Sequence, residues 1–222
     1  MTTVVVVAEL PGNGTVLPAL QPEPLSSEKA TALYRAMLAD ICETVLHGEA
    51  DLLVNYPAPE RVPDGVDPES ELREYLNAEL PTSDGIRYEV QVGVVEPMAP
   101  LLRREHVGTV AMKLRTSDVV LGPAQGGRLY FAGFTAAVDF EDAYADPALE
   151  TMTARALDAG LSVEFLPMVP RADSPEGLAS TVSLIQAQSS AGRIVPSRTA
   201  ALFEEWGLGV DDGGVSTSSD RS

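Results

Sequence analysis

The chain has a single cysteine, Cys42, and only Lys29 and Lys113 as lysines among its 15 basic residues. One thiol cannot build an intrachain disulfide framework or a cysteine-rich zinc site. Cys42 falls in a helical pattern and reads as a buried, inert thiol rather than a nucleophile. No apolar run approaches the ~20 residues of a membrane span, and no run of like charge is long enough to be an interaction tail. A basic leader with a cleavage-site pattern is missing at the start, where Met1–Ala8 is largely valine. That start reads as a first strand rather than a signal peptide, which makes a cytoplasmic protein the expectation.

Acid is what the chain has in excess. There are 33 acidic residues, the net charge is −18, and hydrophobic residues still make up 45%. This balance suits solubility in concentrated salt, as in cytoplasmic proteins of salt-accumulating halophiles. Such a surface repels nucleic acid at low salt, so no nucleic-acid partner is expected; without a membrane-length apolar run, no membrane partner is expected either. With 222 residues the chain is long enough for a substantial core. We read residues 1–206 as one domain and 207–222, rich in Gly, Ser and Asp, as a flexible tail.

The organising stretch is Asp118–Phe134. Val119–Leu121 ends at Gly122-Pro123, a turn holds Gly126 and Gly127, and Leu129–Phe134 is again apolar; strand, glycine turn, strand is the reading. Thr2–Ala8 is a buried β-branched strand leading into the glycine-bearing loop Glu9–Thr15. That loop reads as a ligand loop or an ordinary connection, and it holds no lysine to meet phosphate. A helix follows from Ser26-Ser27-Glu28 to about Leu46, with Ala32, Leu33, Ala36, Met37, Ile41 and Val45 on one face. Asp51–Tyr56 is a second strand, Pro57–Asp67 a loop, Pro68–Glu79 an acidic helix and Tyr88–Val92 a third strand.

Gly93 then runs straight into Val94-Val95-Glu96-Pro97, which looks like the end of another strand. Two parallel strands need a crossover of about a dozen residues. Either Tyr88–Glu96 is one bent strand or a flexible stretch is omitted at this join, and the second reading is favoured. Helices are expected over Pro100–Arg115, from Asp146-Pro147 to Ala159-Gly160, from Ser174 onward, and over Pro196–Trp206. Leu161–Leu166 is a further strand. The alternation predicts an α/β fold, a three-layer sandwich with a mostly parallel central sheet.

Three stretches in order resemble one family. They are Leu10-Pro11-Gly12 with Leu17–Leu20 and Ser27–Leu38; Val119–Ala124 with Tyr130 and Gly133; and Ala159–Val163 through Asp173–Leu178. Together, over residues 3–190, they resemble the glycosyltransferase-like group labelled domain of unknown function 2064. That group is similar to nucleotide-diphospho-sugar transferases of the glycosyltransferase A-type fold and, more distantly, to 2-phospholactate guanylyltransferases. The resemblance implies transfer of a glycosyl or nucleotidyl group, a nucleotide or sugar-nucleotide ligand, a basic first loop around phosphate, and carboxylates holding Mg²⁺ or Mn²⁺. Hard oxygen ligands suit those ions.

Carried onto this chain, the pattern assigns phosphate or nucleotide contact to Leu10, Pro11, Gly12, Asn13, Gly14 and Thr15, and to Gly126, Gly127 and Arg128. It assigns catalytic and metal-ligating roles to Glu96 and Asp173. The chain departs from the pattern at each charged point. Gly14-Thr15-Val16-Leu17 stands where Lys-Thr-Arg-Leu is expected. Gly126 replaces an acidic residue, and Arg171 replaces the first aspartate of the closing Asp-x-Asp. Arg128 and Arg171 are the substitute cations. Each residue has a plainer reading: Asp173 serving the helix start, Glu96 a solvated strand-end charge, the arginines balancing an acidic face. The expectation is therefore a transferase-like protein with an altered, even inactive, metal and phosphate site. The alternative is a non-catalytic scaffold or regulator keeping the fold.

Overall fold

The computed structural model describes residues 2–8, 16–48, 50–55, 91–141, 143–144, 146–211 and 214–216. The expected loop Leu10–Thr15, the loop Pro57–Asp67 and the helix Pro68–Glu79 lie outside these residues. In chain order the elements are β1 (Thr2–Val7), α1 (Ser27–His47), β2 (Asp51–Asn55), β3 (Gln91–Val95), α2 (Arg104–Lys113), β4 (Val119–Pro123), β5 (Leu129–Phe134), α3 (Ala148–Asp158), β6 (Val163–Phe165), α4 (Pro175–Ser190), α5 (Ser197–Glu205), β7 (Gly209–Asp211) and β8 (Gly214–Ser216). The chain divides into two compact units. One comprises Met1–Ala8, Thr44–Glu96 and Arg103–Val169; the other comprises Glu9–Glu43, Pro97–Leu102 and Pro170–Ser222.

The first unit holds a six-stranded sheet of order β2-β1-β3-β5-β4-β6. Strands β2, β1 and β3 are mutually parallel, β4 and β6 are parallel, and β5 is antiparallel to both β3 and β4. The sheet is thus mostly parallel, as the alternating pattern predicts. Alternation of side chains across the pleat gives it two apolar faces. One face, with Val5, Val92, Val94, Val119, Leu121, Ala132 and Phe134, packs on Met152 and Ala156 of α3. On the other, a Cβ at Gly133 would lie 2.9 Å from Val110 and 3.2 Å from Leu114, so α2 and the residue after it press directly onto the strand. Helices on both faces make this unit three layers deep.

Across the Gly93–Val94 join the chain forms one strand from Gln91 to Val95, while residues 88–90 of the expected strand lie outside the described residues. Val92, Gly93, Val94 and Val95 pair in unbroken antiparallel register with Phe134, Gly133, Ala132 and Phe131. They also keep parallel register with β1. No crossover is needed, because there are not two strands to connect. The strand–glycine turn–strand reading of Asp118–Phe134 holds: β4 and β5 are joined by a turn over Gln125–Gly127. Gly160, with φ +70°, ends α3 as the left-handed residue that a helix terminus favours.

The expected helix over Pro100–Arg115 begins only at Arg104, after an extended Arg103. There Arg103 N donates to Nδ1 of His106 at 3.2 Å, so this nitrogen acts as an acceptor. Burial first, and then the Arg103 charge, hold the His106 pKa below its ordinary value, with Glu105 opposing. A free histidine titrates near pH 6.5. The folded state resists the proton while the unfolded chain accepts it. The stability this residue contributes is therefore complete above about pH 6.5 and is lost as pH falls through the lowered folded value. His106→Gln is expected to flatten the decline of the urea midpoint between neutral pH and about pH 5. An unchanged slope would show that other groups set it.

In the second unit, Ser174 caps α4, its hydroxyl accepting from Gly177 N at 3.2 Å, with Pro175 in the first turn. This cap is worth about 1 kcal/mol. Leu33, Met37 and Ile41 of α1 are fully buried, as the helical period requires, and Tyr34 and Leu38 join them. Lys29 Nζ lies 5.4 Å from the Trp206 ring centroid, a cation–π contact. Within the stretch expected to be a flexible tail, β7 and β8 form an antiparallel pair. Gln186 also donates to Leu208 O at 2.7 Å. Burial raises the Cys42 thiol pKa, which keeps the thiolate scarce.

Candidate functional site

In the first unit β1, β2, β3, β4 and β6 all run the same way, so their carboxyl ends share one end of the sheet. Ligands of open α/β sheets bind outside these ends. Two groups of expected residues come together there. Glu96 directly follows β3, and extending the β3–β5 register sets it level with Tyr130. The glycine turn follows β4 and leads into β5 at the same end. Topology thus places Glu96 and Gly126–Arg128 together although about thirty residues separate them in the chain.

The turn is built for close approach. Gly126 and Gly127 have φ of +70° and +72°, left-handed values that a side chain would strain. Arg128 Nε donates back to Gln125 O at 3.3 Å, which ties the guanidinium to the turn. A feature missed in sequence is Glu150, in the first turn of α3. Its Oε2 would lie 3.0 Å from a Cβ at Gly127, so an acidic group stands beside the glycines. The only sequence signal was its place in a helix opened by Asp146-Pro147. Tyr144 was also missed. Its phenol pKa is raised by burial and, secondarily, by the charge of Glu96, so it stays protonated. Nothing in the sequence pattern distinguishes this tyrosine.

Arg171 and Asp173 belong to the second unit. They pair with each other: Arg171 Nε and Nη2 lie 2.9 and 2.7 Å from Asp173 Oδ2. Their side chains are only 10% and 13% exposed, so the pair is largely dehydrated. The backbone between them is pinned, with Ala172 N donating to Met98 O at 2.7 Å. Asp173 therefore does more than start α4, a task Ser174 performs.

No family model matches the chain, and no curated protein matches it. Solved structures do. A "putative nucleotide-diphospho-sugar transferase" of Desulfovibrio desulfuricans G20 is 21% identical, covers 92% of this chain and 94% of its own, and superposes with a TM-score of 0.72. The fold is nucleotide-diphospho-sugar transferase-like. Two looser likenesses bear on neither activity nor ligand. One is to a CMP:2-keto-3-deoxy-manno-octonic acid synthetase complexed with CTP, at 12% identity, 85% and 99% coverage and TM-score 0.40. The other is to a 2-C-methyl-D-erythritol 4-phosphate cytidylyltransferase of Thermus thermophilus, at 14%, 76% and 89%, and 0.37.

Whether this transferase-like fold can hold a divalent ion is tested by its donor atoms. Among the described residues, no group of three or more His, Cys, Asp or Glu is placed to hold a metal. Glu96 is one carboxylate, whereas Mg²⁺ wants octahedral oxygen and usually one or two carboxylates plus phosphate. Asp173 Oδ2 already faces a guanidinium. That oxygen of Asp173 is therefore already engaged in an ion pair. No helix among the described residues is long and apolar enough to cross a membrane.

Proposed function

We propose that the chain binds a nucleotide or sugar nucleotide and is a glycosyl- or nucleotidyltransferase-type protein with an altered metal and phosphate site. The observation that carries this is a near full-length superposition on a transferase-like fold whose carboxyl-end turn keeps paired glycines, an arginine and Glu96. Gly126 and Gly127 let backbone approach a phosphate, and Arg128 supplies planar charged donors to its oxygens. Glu96 and the protonated Tyr144 offer an acceptor and a donor to a ribose or sugar hydroxyl. Contacts from Leu10–Thr15 and from Asp173 rest on the sequence pattern and are to be tested by their own substitutions.

Calorimetric titration with UDP, CTP and UDP-sugars in concentrated KCl is expected to show one-site binding. Arg128→Ala should weaken it about tenfold or more, the scale of one charge-assisted hydrogen bond. Equal affinity in wild type and variant would remove Arg128 from the site, and no heat with any nucleotide would remove the reading. The Arg171–Asp173 ion pair favours a second reading, a regulator that keeps the fold without turnover. Turnover by purified protein that disappears in Asp173→Ala would refute that one.

A further inference from the structure

We propose that the two glycines of the β4–β5 turn face different chemistry, and that Glu150 reads a pair of neighbouring hydroxyls on the ligand's sugar. This deepens the reading above and rests on it for the ligand. Turn and helix both lie in the first unit. A Cβ at Gly126 would meet nothing nearer than Arg128 Nε at 3.9 Å, so that side is open and lies beside a guanidinium. A Cβ at Gly127 would meet Glu150 Oε2 at 3.0 Å and Pro147 Cβ at 3.2 Å, so that side is filled by the start of α3. A phosphate belongs on the first side, where a planar cation can meet its oxygens. On the second it would face a carboxylate of its own sign, which accepts hydrogen bonds and donates none. A hydroxyl is the group a carboxylate takes, and its two oxygens suit two neighbouring hydroxyls, as in the diol of a ribose or hexose. Glu150 is exposed, and among the described residues no hydrogen bond or ion pair engages its carboxylate. Two further oxygen-bearing side chains stand on the same side of the sheet. Tyr144 packs on the core beneath α3, and Glu96 falls on that face because Val94, two residues earlier, does. A ligand with its phosphate at Gly126 and Arg128 and its sugar along α3 satisfies both sides of the turn. The first turn of α3 also favours an acid through the helix dipole. That effect bears on stability and not on hydroxyls, so discrimination between ligands is the quantity to measure.

The test titrates the full chain in concentrated KCl by calorimetry. UDP is compared with 2′,3′-dideoxy-UDP, which probes the ribose, and UDP-glucose with UDP, which probes a transferred sugar. Wild type is expected to prefer the hydroxyl-bearing ligand about tenfold in one of these comparisons. Glu150→Ala should bring that preference to within about twofold, while the affinity for the ligand lacking those hydroxyls stays within the same margin of wild type. Glu150→Gln keeps one accepting oxygen and should fall between the two. Should Glu150→Ala fail to fold by circular dichroism, Glu150→Gln decides on the same ratio. An undiminished preference in a folded variant would overturn the assignment. Parallel weakening of both ligands would make Glu150 structural and overturn it equally. If nucleotides bind wild type with no preference in either comparison, this inference alone fails. If none binds, the transferase-type reading fails and takes this one with it.

Discussion

Asp40→Ala is expected to cost the fold about 2 to 4 kcal/mol, the scale of losing a helix cap and leaving buried hydrogen-bonding groups unsatisfied. Asp40 lies on α1 and its side chain is 3% exposed. Its carboxylate accepts from Arg198 N at 3.2 Å, Thr199 N at 2.8 Å, the Thr199 hydroxyl at 2.8 Å and Arg198 Nη1 at 3.2 Å. Arg198 and Thr199 are the second and third residues of α5, whose own N-cap position is Pro196 and makes no side-chain cap. Asp40 is therefore the cap of a helix 158 residues away in the chain. Its loss would leave two helix-end N–H groups and the buried Thr199 hydroxyl without their acceptor.

At roughly 2–4 °C per kcal/mol for a chain of this size, the melting midpoint should fall by about ten degrees. Arg198→Ala should do far less, because that side chain is 49% exposed and also pairs with Glu43 at the surface. A small shift for Asp40→Ala, comparable with that of Arg198→Ala, would show that the cap is not what holds α5.

The second large effect is expected in the sheet. A Cβ at Gly93 would meet the Phe131 ring at 2.5 Å, and one at Gly122 would meet the Tyr130 ring at 2.7 and 2.8 Å. Both rings are fully buried, and Tyr130 is further held by its hydroxyl donating to Pro167 O at 3.1 Å. Gly93→Ala should therefore destabilise by about 1 to 3 kcal/mol through overpacking, and Gly93→Val by more. Coupling identifies the cause. Combined with Phe131→Leu, the alanine should cost distinctly less than in the wild-type background, as contacting residues do in a double-mutant cycle. Strict additivity would mean that the penalty lies in the backbone and not in the ring.

Much of the local structure could be read along the chain. The β4–turn–β5 unit, the buried face of α1, the Ser174-Pro175 start of α4 and the glycine after α3 each follow from neighbours a few residues apart. Periodicity and capping act over that range. The Gly93 join misled because a strand interrupted by glycine resembles two strand ends. Only pairing with β1 on one side and β5 on the other shows it to be continuous. Of the candidate site, the glycine turn is legible by composition, Glu150 is marked only by its place in the first turn of a helix, and Tyr144 carries no marking. The family resemblance marks Arg171 as a substitute cation and Asp173 as a candidate ligand. That they neutralise each other is a matter of two bond lengths.

By itself the sequence determined the layer type, the acidic balance, most element boundaries and the presence of paired glycines before Arg128. These depend on short-range patterns and on sums over residues, both of which survive being written on one line. Tertiary structure alone decided that Glu96 shares the sheet's carboxyl end with the glycine turn, that Asp40 caps α5, and that a guanidinium occupies the Asp173 carboxylate. Each is a contact that no local periodicity encodes, and between α1 and α5 most of the chain intervenes. Such contacts exist only once the chain has closed on itself and dehydrated the groups concerned.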